Sequence, residues 1–120
     1  MTQQKYRTPT NQLISLEIAD TFFKRFCGLM LRKGLAENHG LYLAPCASIH
    51  MMFMRFAIDA VYVDKDFTIK KVVSHLRPWI GCSWCPGAHG VIELPSGTAD
   101  AFGLAVGQQL VQASPLGGML

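Results

Sequence analysis

The chain has 120 residues, half of them hydrophobic and 16% charged, with a net charge of +3. That length fits one compact domain, and the apolar fraction excludes a disordered chain, which lacks the hydrophobicity to build a core. No apolar run reaches the roughly 20 residues that cross a bilayer as a helix, and the basic residues are scattered, Lys70-Lys71 being the longest run. Neither a membrane nor a nucleic-acid partner is therefore expected.

Residues 1–11 are polar and read as a flexible tail. They lack the apolar segment of a secretory signal, so with Met1 as the native start the expected compartment is the cytoplasm. Leu13, Ile14, Leu16 and Ile18 form a β-prone run. Phe22, Phe23, Phe26, Leu29 and Met30 recur at helical spacing opposite Lys24 and Arg25 and predict an amphipathic helix, capped by Asp20 or Thr21. Cys27 falls among these apolar residues and reads as a buried thiol.

From Gly40 the pattern shortens to strands over 41–44, 48–54, 57–63 and 67–75. The last two flank Asp64-Lys65-Asp66, a polar turn that predicts a hairpin. Residues 77–89 hold Pro78, Gly81, Pro86 and Gly87 and read as a loop. A strand over 91–94 follows, then a short helix or turn over 96–102 capped by Ser96 or Thr98, and a last strand over 108–113. Residues 114–120 read as a second tail. No repeat or linker divides the chain. The expected fold is α+β but mostly β: one small domain over 12–113, with a curled or barrel-like, mainly antiparallel sheet and one or two short helices.

Several residues stand out chemically. Asp59 sits among apolar neighbours in the 57–63 strand, and a buried carboxylate needs a partner. One reading is a structural clamp to Arg55 or to backbone. The other is a polar cluster of His50, Arg55 and Asp59 at the mouth of an apolar pocket. Glu93 interrupts another apolar strand, either on a solvent face or as an acceptor in the same pocket. If 48–54 is extended, His50, Met52 and Met54 share one face, as core filling, a pocket wall or a soft-metal site. Cys82-Ser83-Trp84-Cys85 is a CxxC pair followed at once by Pro86-Gly87, unlike a redox dithiol that opens a helix. Zinc there would need further ligands from Cys46, His75 or His89.

Four blocks carry a family resemblance: Gly28-Leu29-Met30 with Arg32; Gly40-Leu41-Tyr42-Leu43; the run from Ile49 to Asp64; and Val91 to Thr98 followed by Gly103-Leu104 and Gly107. In this order the chain resembles the bacterial and archaeal family known as domain of unknown function 192, over about Leu13 to Leu110. It departs from that pattern at Ala57, Ser96 and Gln108, where the family often has Pro, Ala and Asp, and at Met51 and Met52, near which it often has Thr or Trp. Many relatives are exported. The resemblance implies no activity.

The functional expectation is a non-catalytic small-molecule domain, for a sugar or another amphipathic ligand. In this reading His50, Arg55, Asp59 and Glu93 border an apolar cleft and Trp79 and Trp84 flank it. The alternatives are a zinc or thiol-redox protein using Cys82 and Cys85, and a protein-interaction domain anchored by the tryptophans. Phosphate-loop, nucleophile-elbow and HExxH signatures are missing, so an enzyme is not favoured. Zinc is the one cofactor considered, and the oligomeric state stays open.

Overall fold

Three segments are buried on both strand faces: His39–Leu43 from its second residue onward, Ile58–Val63 throughout, and Gly90–Pro95 up to its last residue. Such strands belong in the middle of a sheet that carries a layer on each side. A computed structural model, which describes residues 3–19 and 34–113, puts them there.

In chain order the described residues form β1 (Gln3–Arg7), β2 (Leu13–Ala19), β3 (His39–Leu43), β4 (Ser48–His50), β5 (Ile58–Val63), β6 (Ile69–Leu76), β7 (Cys82–Trp84), β8 (Gly90–Pro95), α1 (Thr98–Ala101) and β9 (Val111–Gln112). Seven strands make one sheet in the order β6-β5-β8-β3-β2-β1-β9, and β4 and β7 pair separately as a two-stranded ribbon. Only β2 and β3 run parallel among these pairs. The result is a mostly β, curled, mainly antiparallel half-barrel with one short helix among the described residues.

The period of two along each strand sorts side chains into two cores. On one face Ile14, Leu16, Tyr42, Val61 and Ile92 pack with Ala99 of α1 and with Leu104 and Leu110. On the other, Leu41, Leu43, Ala60, Tyr62 and Val91 pack under the ribbon and its following turn, through Met51, Met54, Ile49 and Cys85. Gly90 permits the tightest crossing: a Cβ there would lie 2.5 Å from Tyr42 Cε1 and 2.8 Å from the Leu43 carbonyl.

The predicted hairpin forms between β5 and β6. Asp64 Oδ1 accepts the Asp66 and Thr68 N–H groups at 2.8 and 3.0 Å. The bond from Thr68 is the main reason its carboxyl is held below the usual range. Phe67, left-handed at φ 61°, stacks on Tyr6 with ring centroids 4.3 Å apart.

Other expectations change. Residues 3–7 are a strand rather than part of a tail: pairing with β2 supplies the backbone partners, and Tyr6, the lone aromatic of a polar run, is buried. The 48–54 strand stops at His50, because Met54 N–H turns back to the Met51 carbonyl at 3.0 Å. Met51 and Met54 are therefore buried while Met52 is exposed, and His50, Met52 and Met54 do not share a strand face. The 77–89 loop contains β7, whose ladder partner is β4. The helix expected over 22–30, with Cys27, and the tail over 114–120 lie outside the described residues. No helix of the described residues is long and apolar enough to cross a membrane.

Candidate functional site

Asp59 is fully buried, and backbone satisfies it. Oδ1 accepts the His75 N–H at 2.9 Å, and Oδ2 accepts Gly97 N–H at 3.0 Å and Ala99 N–H at 2.8 Å. Helix α1 has Gly97 at its N-cap in a left-handed conformation with no local side-chain cap. The expected caps, Ser96 and Thr98, are replaced by a carboxylate from another strand, which meets the same unsatisfied helix-start donors. Asp59 thus ties β5, β6 and α1 together, the clamp-to-backbone alternative of the sequence reading.

Glu93 lies on the other side of the sheet. Asp59 is opposite Leu94 and Glu93 opposite Ala60 in the β5–β8 ladder, so the two carboxylates project from opposite faces. Glu93 is 5% exposed and engaged in the structure rather than free, which corrects the solvent-face alternative. His50 ends the separate ribbon, and it and Arg55 are exposed. The structure therefore does not gather His50, Arg55, Asp59 and Glu93 around one hollow. Two shallow clefts, one between Asp64–Asp66 and Gly87–His89 and one between Phe67 and β9, are lined by none of the six predicted ligand-binding residues.

What the structure does bring together is aromatic. The turn after β4 and the loop before β7 are zipped by backbone: Met51 N–H donates to Gly81 O at 2.8 Å and Trp79 N–H to Met51 O at 2.7 Å. Phe53 and Trp79 then meet edge-on, ring centroids 5.2 Å apart. They are 45% and 55% exposed, beside Met52 and Ile80, the latter 74% exposed. Both rings hang from left-handed backbone, at φ 66° and 69°. A bulky residue there costs about 1–2 kcal/mol. Phe67 carries the same strain but stacks in the core, whereas Phe53 and Trp79 spend it on rings that face solvent. Strain stored at an exposed position points to use of that position.

The ribbon continues this surface. Ser48 faces Trp84 and His50 faces Cys82 across the ladder, all four on its outer side, while Ser83 turns inward and shares a 2.7 Å hydrogen bond with Tyr62 Oη. Lys71 Nζ donates to the Trp84 carbonyl at 2.8 Å and lies 5.8 Å from its ring centroid. Segments 38–58 and 67–92 contain no Asp or Glu, but they contain Arg55, Lys70, Lys71, Arg77 and all four histidines. Arg55 and Arg77, both exposed, each stand two residues from an exposed ring, and Lys71 lies against Trp84. Trp79 and Trp84 were legible as loop aromatics and Met52 as a candidate pocket wall, whereas Phe53 and Ile80 were missed. The missed signal was two apolar pairs, Met52-Phe53 and Trp79-Ile80, each next to a turn.

Cys82 is exposed on the outer side of the ribbon, while Cys85 packs against the core beneath it. Alternation thus sends the two thiols of the CxxC in different directions, and none of Cys46, Cys82 and Cys85 is in a disulfide among the described residues. Among the described residues no three His, Cys, Asp or Glu side chains converge as a metal site.

One constellation escaped the sequence reading. His75 Nδ1 is hydrogen-bonded to Ser96 Oγ, and His75 Nε2 lies 3.8 Å from Asp100 Oδ2. The order Ser–His–Asp suggests a nucleophile, but 3.8 Å is no hydrogen bond. Gly97 and Ala99 N–H, which could receive an oxyanion there, are committed to Asp59. The trio is a surface network bracing β6 against the start of α1.

Fold and site together define a small half-barrel domain whose distinguishing feature is an exposed aromatic surface. The family model of domain of unknown function 192, described as "Uncharacterized ACR", matches residues 4–112, and the chain belongs to that family. A "UPF0127 protein" of Thermococcus sibiricus is 37% identical over 101 residues, covering 79% of this chain and 64% of that relative's length. A second "UPF0127 protein", of Pyrococcus furiosus, is 35% identical over 104 residues, covering 81% and 85%. The crystal structure of a protein of unknown function from Novosphingobium aromaticivorans shares the fold, with a TM-score of 0.81 at 20% identity, covering 91% of this chain and 83% of that one.

Proposed function

We propose that this chain is a non-catalytic binding module that takes an amphipathic ligand on the surface formed by Phe53, Trp79, Met52 and Ile80, with Trp84, His50 and Arg55 alongside. The carrying observation is the Phe53–Trp79 pair: two aromatic rings in edge contact, held in solvent by strained backbone. Binding sites combine apolar contact area with a few placed polar groups, and here the placed groups are cations. Carboxylates, which commonly accept sugar hydroxyls, are missing from both segments, so the surface suits an anionic amphiphile better than a neutral sugar. Asp59 and Glu93 support the fold that presents the surface.

The test compares monomeric octanoate, monomeric octyl glucoside and glucose by tryptophan fluorescence and chemical-shift perturbation. Octanoate is expected to perturb Trp79 most and glucose least, and Trp79→Ala is expected to remove the response without unfolding the chain. Equal responses to all three, or shifts mapping elsewhere, would overturn the reading.

A further inference from the structure

Building on that binding surface, we infer that its natural occupant is the interfacial layer of an anionic lipid bilayer, entered by the two loop tips Met52-Phe53 and Trp79-Ile80. Three observations converge on this. The tips carry an apolar cluster of the residue types that partition into the headgroup boundary, two of them aromatic and all exposed. Their flanks are cationic, with Arg55 and Arg77 both exposed and no Asp or Glu in either segment, which complements negative headgroups.

The third observation concerns backbone. Donors entering an apolar layer must already be satisfied. Met51 and Trp79 N–H bond between the loops, Met54, Ile80 and Gly81 N–H bond within them, and Pro78 has no donor. Met52 and Phe53 N–H have no hydrogen bond among the described residues and would stay at the headgroup level, where water and headgroup oxygens can accept them. In the Trp79-Ile80 tip the closed donors leave little for a peptide partner to pair with, which suits insertion at the headgroup boundary. The earlier expectation of no membrane partner rested on the lack of a spanning segment, and peripheral insertion requires none.

The experiment co-sediments the full chain with vesicles of phosphatidylcholine alone or mixed with phosphatidylglycerol, at low and high salt. Binding is expected to the mixed vesicles, weakening with salt, with tryptophan emission shifting blue and quenched by brominated acyl chains. The double variant F53S/I80S is expected to lower partitioning about tenfold or more, and R55Q and R77Q about fivefold each, with thermal melting confirming that each variant folds.

No sedimentation with the mixed vesicles, or sedimentation indifferent to F53S/I80S, overturns the inference. In that event a Trp79 response to dihexanoyl-phosphatidylglycerol below its micellar concentration would leave the binding module standing and remove only the bilayer. Silence toward this probe as well would remove both. If the free chain dimerises and F53S/I80S makes it monomeric, the surface is a contact between copies and the bilayer inference falls.

Discussion

Asp59 and Ala99, forty residues apart in sequence, are joined by a 2.8 Å hydrogen bond from the Ala99 amide to Asp59 Oδ2. This bond gives a four-residue helix the cap that its own sequence does not supply. With the bonds from Gly97 and His75 it consumes the carboxylate that looked most like a ligand-binding group.

Replacing Asp59 by Ala would take the acceptor from three backbone donors, one of them buried and two part-buried. A donor left without its acceptor costs about 1–3 kcal/mol, so Asp59→Ala is expected to lose about 3–5 kcal/mol in urea unfolding. Asp59→Asn, which keeps one acceptor oxygen, is expected to lose roughly half of that. A loss below about 1 kcal/mol for Asp59→Ala would contradict the clamp.

Phe53 predicts an unusual trade. Phe53→Gly relieves the left-handed backbone, worth about 1–2 kcal/mol, and forfeits the ring contact with Trp79, worth about 0.5–1.5 kcal/mol. Thermal unfolding is therefore expected to stay level or rise slightly, while octanoate and vesicle binding fall. A clear loss of stability would mean that the ring is a packing element and that the strain serves the fold.

Burial pushes the phenols of Tyr42 and Tyr62 up to about 12 from 10.0. Unfolded tyrosine loses its proton near 10 while the folded ones still hold theirs, so above that pH the unfolded state binds fewer protons. The stability these phenols contribute is complete below pH 10 and is lost as the pH rises towards 12. Urea unfolding across that range is expected to show the loss, with a shallower slope for Tyr62→Phe, and phenolate absorbance should lag behind that of a model peptide. Equal slopes for Tyr62→Phe and the parent would refute this.

The cysteine pair yields a kinetic contrast. Cys82 is expected to react with a thiol reagent in the native state well before Cys85, read by peptide mass after timed quenching, because only Cys82 stands on the outer side of the ribbon. Cys82→Ser is expected to leave melting within about 1 °C, as a surface change away from packing should. Equal rates, or a zinc content lost with Cys82→Ser, would point back to a metal or redox role.

Much of the fold was legible because its signals are local. The hairpin at Asp64–Asp66 needs only turn chemistry and flanking β-prone residues, and the burial of β5 and β8 follows from their apolar runs. Residues 3–7 hid because a strand stabilised by pairing and one aromatic leaves little trace in a polar segment. The ribbon hid for a related reason: β4 and β7 are three residues each and hold together only across more than thirty residues of intervening chain.

The site was less legible. That Asp59 must have a partner followed from sequence alone, since no buried carboxylate survives unpaired. Which partner it takes depended on where residues 75, 97 and 99 arrive in space. That it projects from the other face of the sheet than Glu93 depended on ladder register, which sequence does not display. Composition, hydrophobic period and turn residues decided that this chain folds as one small β-rich domain, because those effects act within a few residues. Tertiary structure alone decided that Phe53 and Trp79 touch and that Asp59 caps a distant helix, because such contacts form only when separate elements close on one another.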